Sequence, residues 1–111
     1  MKICLLTSNP NPYDDGIYYK LARTLKKIAS VTIINPRFTS VNNDGIVIVG
    51  QDSVPPISRS PWIMEQLKII NPDIIQVTEP LLLAPAIKYK SNHTVKIIYD
   101  QAEDWSAMYR E

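Results

Sequence analysis

Glycine is scarce in this chain: Gly16, Gly45 and Gly50 are the three in 111 residues. A G-x-G-x-x-G dinucleotide loop needs clustered glycines so that backbone can approach a pyrophosphate, and no such cluster exists. A Walker loop is absent too. After the first apolar run, Ser8-Asn9-Pro10-Asn11-Pro12 lacks the glycine and hydroxyl series of a flavin phosphate cradle. Thr7-Ser8-Asn9 stands where a phosphate-accepting receiver domain carries an acidic pair. The one cysteine, Cys4, cannot form an internal disulfide. Its place in an apolar run reads as a small buried hydrophobe, which suits a reducing compartment. The one histidine, His93, lies in the polar stretch Ser91-Asn92-His93-Thr94 and reads as a solvated loop residue. One cysteine and one histidine so far apart argue against a zinc site, and no metal or cofactor is expected.

Twelve basic and eleven acidic residues leave a net charge of +1. That balance sets up no strong field for nucleic acid, and no nucleic-acid partner is expected. No apolar run approaches the roughly 18 residues of a membrane span. Met1 to Leu6 is followed by Asn9-Pro10-Asn11-Pro12 rather than a small-residue cleavage signature, so it reads as a strand and the expected location is cytoplasmic.

What is present is an alternation of short apolar runs and amphipathic stretches. The strand runs are Lys2 to Ser8, Val31 to Ile34, Gly45 to Gly50, Ile74 to Val77 and Val95 to Tyr99. Between the first two, Asp14 or Asp15 is placed to cap a helix whose buried stripe is Ile17, Leu21, Leu25 and Ile28. Arg37 to Asp44 reads as polar loop. Ser60 with Pro61 reads as the start of a second helix, stopped at Asn71-Pro72. Pro80 is placed to open a third helix, and Pro85 should kink it or delay its start by a turn. Ala102 to Arg110 reads as the opening of a fourth.

Strand, helix, strand in this rhythm predicts an α/β fold: a Rossmann-like three-layer domain spanning 1–111, with a five-stranded parallel sheet in the order 3-2-1-4-5. In open parallel sheets ligands lie beyond the carboxyl ends of the strands, where the strand order reverses. In this order the loop Asn9 to Gly16 and the turn Thr78 to Pro80 flank that crevice. Candidate site residues are therefore Asn9, Asp15, Gly16, Thr78, Glu79, Glu103 and Asp104. Each also has a structural reading. Glu79 is read first as a cap for the helix at Pro80 and second as a ligand group, while Glu103 and Asp104 suit a helix cap as well as they suit a ligand. Gly16 either admits backbone close to a ligand or relaxes the helix start. Trp62, Trp105 and Tyr109 read as packing residues.

Three blocks resemble a known family. They are Tyr13-Asp14-Asp15-Gly16-Ile17-Tyr18-Tyr19-Lys20, Asp73-Ile74-Ile75-Gln76-Val77-Thr78-Glu79-Pro80-Leu81-Leu82 and Lys96-Ile97-Ile98-Tyr99-Asp100-Gln101-Ala102-Glu103-Asp104-Trp105. In order and spacing they resemble the N-terminal, acceptor-side domain of the GT-B glycosyltransferases of the family-four-like type, over nearly the whole chain. The resemblance implies the first half of a longer two-domain enzyme, inactive alone. Such an enzyme moves a sugar from a nucleotide-sugar donor, held mainly by a C-terminal domain, to an acceptor hydroxyl. It also implies a metal-independent reaction, with helix N-termini and basic side chains balancing the diphosphate. Glu103 and Asp104 match the family's acidic pair. Gly16 stands where the family often has arginine, Thr78-Glu79-Pro80-Leu81 where it often has histidine-aspartate-proline-glutamate, and Ala102 where it usually has histidine. Alanine can carry no proton, so no catalytic residue is assigned. Lys20, Arg23, Lys26 and Lys27 form either a solvated face or a weak contact with an anionic membrane, as in similar enzymes. The alternative to the whole reading is a non-catalytic α/β binding or assembly module; a weaker one is an unrelated flavodoxin-like domain.

Overall fold

The computed structural model describes residues 1–8, 16–37, 41–43, 46–51, 54–77 and 79–99, with the side chains of 16–20 and 41–43 outside that description. The elements are β1 (Lys2–Leu6), α1 (Gly16–Leu25), β2 (Ser30–Asn35), β3 (Val41–Asn43), β4 (Ile46–Gly50), α2 (Pro56–Ile70), β5 (Ile74–Val77), α3 (Pro80–Lys90) and β6 (Lys96–Tyr99). They build one sheet in the order β3-β4-β2-β1-β5-β6. The pairs β4·β2, β2·β1, β1·β5 and β5·β6 are all parallel. These are the five expected strands in the expected order, flanked by helices on both faces.

β1 lies in the middle because its side chains are apolar on both faces. Cys4 and Leu6 face a core shared with Ile34, Ile75 and Val77 under Ile63 and Leu67 of α2 and Leu82, Ala86 and Tyr89 of α3. Ile3 and Leu5 face a second core with Val31, Ile33, Ile46 and Ile48, covered by Ala22 of α1. A strand apolar on both sides is what a doubly covered parallel sheet demands. The amino edge is closed by polar contacts. The Asp73 carboxylate accepts from the Lys2 amide at 2.8 Å, and the Asp73 amide donates to the Lys2 carbonyl at 2.8 Å.

Four expectations change. Val41–Asn43, read as loop, pairs antiparallel with β4 through Val41↔Ile48 and Asn43↔Ile46. Asp44-Gly45 separates the paired ends, and that dipeptide between two strands is a strong hairpin signal. The added strand covers what is otherwise the open edge of β4. Next, Ile28 is 72% exposed, not buried. α1 ends at Leu25, and turns donating from Ile28 and Ala29 to the Leu25 carbonyl carry the chain into β2. Ala22, with no exposed surface, takes the core position beside half-buried Leu21 and Leu25.

α2 begins at Pro56, not at Ser60-Pro61. Pro55-Pro56 presets the backbone dihedrals for a first turn, and the Val54 amide ties that start to the Pro36 carbonyl at 3.1 Å. α3 likewise begins at Pro80 with no delay at Pro85. Each helix thus carries one proline at its first position and another at its sixth. The cost is one missing intrahelical bond apiece, to the carbonyls of Ile57 and Leu81, whose side chains stand 89% exposed. The expected fourth helix, Ala102 to Arg110, lies outside the described residues, as do the caps Asp14 and Asp15. Among the described residues no helix is long and apolar enough to cross a membrane.

Candidate functional site at the carboxyl edge

The parallel pairing of β1 with β5 ends at Leu6↔Val77. Two residues further on, the same register sets Ser8 opposite Glu79. The Glu79 carboxylate accepts from the Ser8 amide through Oε2 at 2.8 Å, and the Ser8 hydroxyl lies 2.8 Å from both carboxylate oxygens. Glu79 holds the N-cap position of α3 with extended backbone, yet makes no side-chain cap bond. The capping role read from the sequence is therefore corrected: the carboxylate turns across to the neighbouring strand end. Charge-assisted bonds to an amide and a hydroxyl there are stronger than a neutral pair.

This clasp forms one wall of a cavity of about 490 Å³, within the range of roughly 300–1,000 Å³ common for small-molecule sites. Pro80, Leu81, Leu82 and Pro85 continue the wall along α3. Pro56, Arg59, Ser60 and Ile63 of α2 face them. The lining is thus mainly aliphatic with four polar side chains, two from each side.

Arg59 is half-buried, and its Nε donates to the Val54 carbonyl at 3.2 Å. Since Val54 is itself buried and tied to the end of β2, the guanidinium hangs from a fixed point. Among the described residues its terminal nitrogens have no acceptor. Neither α2 nor α3 has an acidic residue in its first turn or a side-chain cap bond; both helix starts turn their positive ends toward this edge, and at α3 the Glu79 carboxylate stands beside that end.

Of the residues expected at the site, Glu79 lines the cavity, and Gly16 opens α1, the helix on the opposite face. Asn9, Asp15, Thr78, Glu103 and Asp104 lie outside the described residues. Ser8, Arg59 and Ser60 were not anticipated. Extending the strand register past its apolar residues points to Ser8. Arg59 and Ser60 follow only once α2 is started at Pro56, which brings them within its first turns.

The remaining reactive groups are structural. Burial pushes the Cys4 thiol up from its ordinary 9.0 to about 12, against a smaller opposing pull from Lys2. A thiol so held is no nucleophile. Burial also raises the Tyr89 phenol, with the nearby Cys4 adding to it. His93 is not the solvated residue expected. Its ring stacks on Tyr89 with centroids 4.0 Å apart, and its Nδ1 lies 2.9 Å from the Tyr89 carbonyl, closing the end of α3. Among the described residues no cluster of three histidine, cysteine or acidic side chains exists to hold a metal.

Compared with known protein families, with curated proteins and with solved structures, the chain finds no match.

Proposed function

We propose that this chain is the acceptor-side domain of a two-domain glycosyltransferase of the GT-B type, acting in the cytoplasm. In this reading a second domain presents a nucleotide sugar, and the carboxyl-edge cavity holds the acceptor whose hydroxyl receives the sugar. The observation that carries it is the cavity beside the clasp. It lies where β1 and β5 lead to helices on opposite faces, the place in an open α/β sheet where ligands bind. The three sequence blocks support the same reading.

The lining suits a sugar-like acceptor. Glu79 keeps lone pairs beyond those used by Ser8, so it can accept from a hydroxyl and fix its direction. Arg59 and Ser60 offer donors from the facing wall, and the aliphatic lining matches the apolar face of a sugar ring. Oriented this way, the acceptor oxygen is held for attack at low entropic cost. The start of α2 suits a diphosphate brought over the edge by the donor domain. No metal is needed in this scheme. A weak contact of the α1 face with an anionic membrane remains part of the proposal.

Titration of the labelled chain with saccharides and with nucleotide sugars, followed by amide NMR, tests the reading. Saccharides should shift the amides of Ser8, Glu79 and Leu82. A nucleotide alone that binds tightly in this cavity, with no saccharide binding, overturns it.

A second reading, a non-catalytic assembly module, is favoured by the nearly full exposure of Ile57 and Leu81 at the starts of α2 and α3. Sedimentation across concentrations addresses its self-assembling form. A well-folded monomer at high concentration argues against it.

A further inference from the structure

We infer that the cavity selects an acidic ligand: a hydroxylated ring carrying a phosphate or carboxylate, its acid group on the Arg59–Ser60 wall and its hydroxyls at Ser8 and Glu79. The inference rests on the sugar-acceptor reading and names the class of acceptor.

The cavity has two unlike poles. On the sheet side, Glu79 is engaged by Ser8 through both carboxylate oxygens, which fixes a negative charge at the strand ends. On the α2 side, Arg59 is fixed by its Nε bond to Val54, and its terminal nitrogens have no acceptor among the described residues. Glu79 is committed across the cavity, and the first turns of both helices carry no other acidic side chain. A partly buried cation with no counter-charge among the described residues is costly, and a ligand that supplies one recovers that cost. A guanidinium held by Nε still offers its terminal donors as a fork that fits the paired oxygens of a carboxylate or phosphate. Glu79 repels an anion placed on its own side, so charge alone orients the ligand across the cavity.

The test uses the full chain, four probes and amide NMR: glucose 6-phosphate, glucuronate, methyl glucoside and inorganic phosphate. Both acidic sugars should bind at least about tenfold more tightly than methyl glucoside, with shifts at Ser8, Ser60 and Leu82. That preference should weaken as salt rises. Arg59→Gln should bring the acidic sugars to within about twofold of the glucoside measured on the same variant. Arg59→Lys, which keeps the charge, should retain part of the preference, and it carries the test if Arg59→Gln proves unstable on melting. Equal binding of methyl glucoside and the acidic sugars in the cavity overturns the inference and leaves the sugar-acceptor reading standing. Phosphate alone binding as tightly as glucose 6-phosphate, with the glucoside silent, supports the anion site and overturns the sugar reading. No shift at these amides with any probe overturns both.

Discussion

Glu79 shows how much one side chain can decide. It sits at an N-cap yet serves a different strand, so its removal should be felt in β1 as well as α3. Replacing it with glutamine keeps the shape and loses the charge on two short bonds. Glu79→Gln should lower stability by about 1–2 kcal/mol in urea unfolding, and Ser8→Ala, which spares the amide bond, by less. Asn71 is a second pivot. It ends α2 in the left-handed region at φ 54, and its amide donates to the Leu67 carbonyl at 2.8 Å. Its Oδ1 accepts from the Tyr89 hydroxyl at 3.3 Å, which joins α2 to α3. Asn71→Ala should cost about 1–2 kcal/mol, while Asn71→Gly relieves the backbone and should cost clearly less. An equal loss in both variants would place the stabilisation in the side-chain bond instead. Cys4 gives a pH signature. Its folded value lies above its ordinary one, so its contribution is whole below pH 9.0 and is withdrawn as pH rises through about 12. Thiol labelling near pH 8 should therefore track unfolding. The alkaline fall in urea midpoint should be smaller in Cys4→Ala than in the parent chain.

At the scale of the element, α2 and α3 share one design: proline at the first position and proline at the sixth. The first is favourable because no amide is lost, and the second leaves a carbonyl without its donor. Pro61 is exposed, whereas Pro85 is buried and lines the cavity. Pro61→Ala restores the bond to Ile57 at little packing cost and should raise stability by about 1–2 kcal/mol, less the entropy regained by the unfolded chain. Pro85→Ala should gain less, because it also removes a buried ring. Differential melting of the two variants measures this. The same prolines explain where sequence reading stopped short. Proline is ambiguous about a helix boundary: Ser60-Pro61 looks like a start, yet the start is Pro56, anchored through Val54 to the end of β2. That tether joins residues distant in sequence and has no local signature. In α1 the helical spacing of Leu21 and Leu25 was legible, but continuing the stripe to Ile28 ignored the turn that β2 requires. The Asp44-Gly45 signal for β3 is present in the sequence, between Val41–Asn43 and Ile46–Gly50.

For the whole molecule, the order of the five parallel strands followed from alternating elements and a small set of allowed connections. The crevice where that order reverses came with it, and Glu79 lines the cavity there. The clasp did not, because it depends on register beyond the last apolar pair, where neither hydrophobicity nor turn chemistry speaks. Stability should be graded across the sheet in the same order. Amides of Cys4 to Leu6 lie between two cores and should exchange with deuterium only through global unfolding. Those of β6, whose Ile98 and Tyr99 are 39% and 40% exposed, should exchange through local opening with little urea dependence. Equal protection in β1 and β6 would contradict a sheet graded from centre to rim. At that centre, the described pairing of β1 with β5 runs to Leu6 and Val77, and Ser8 and Glu79 lie just beyond it. One carboxylate, Glu79, ties the end of β1 to the end of β5 through Ser8. That bank of the groove is therefore braced in advance, and a guest of the proposed kind would meet it already in place.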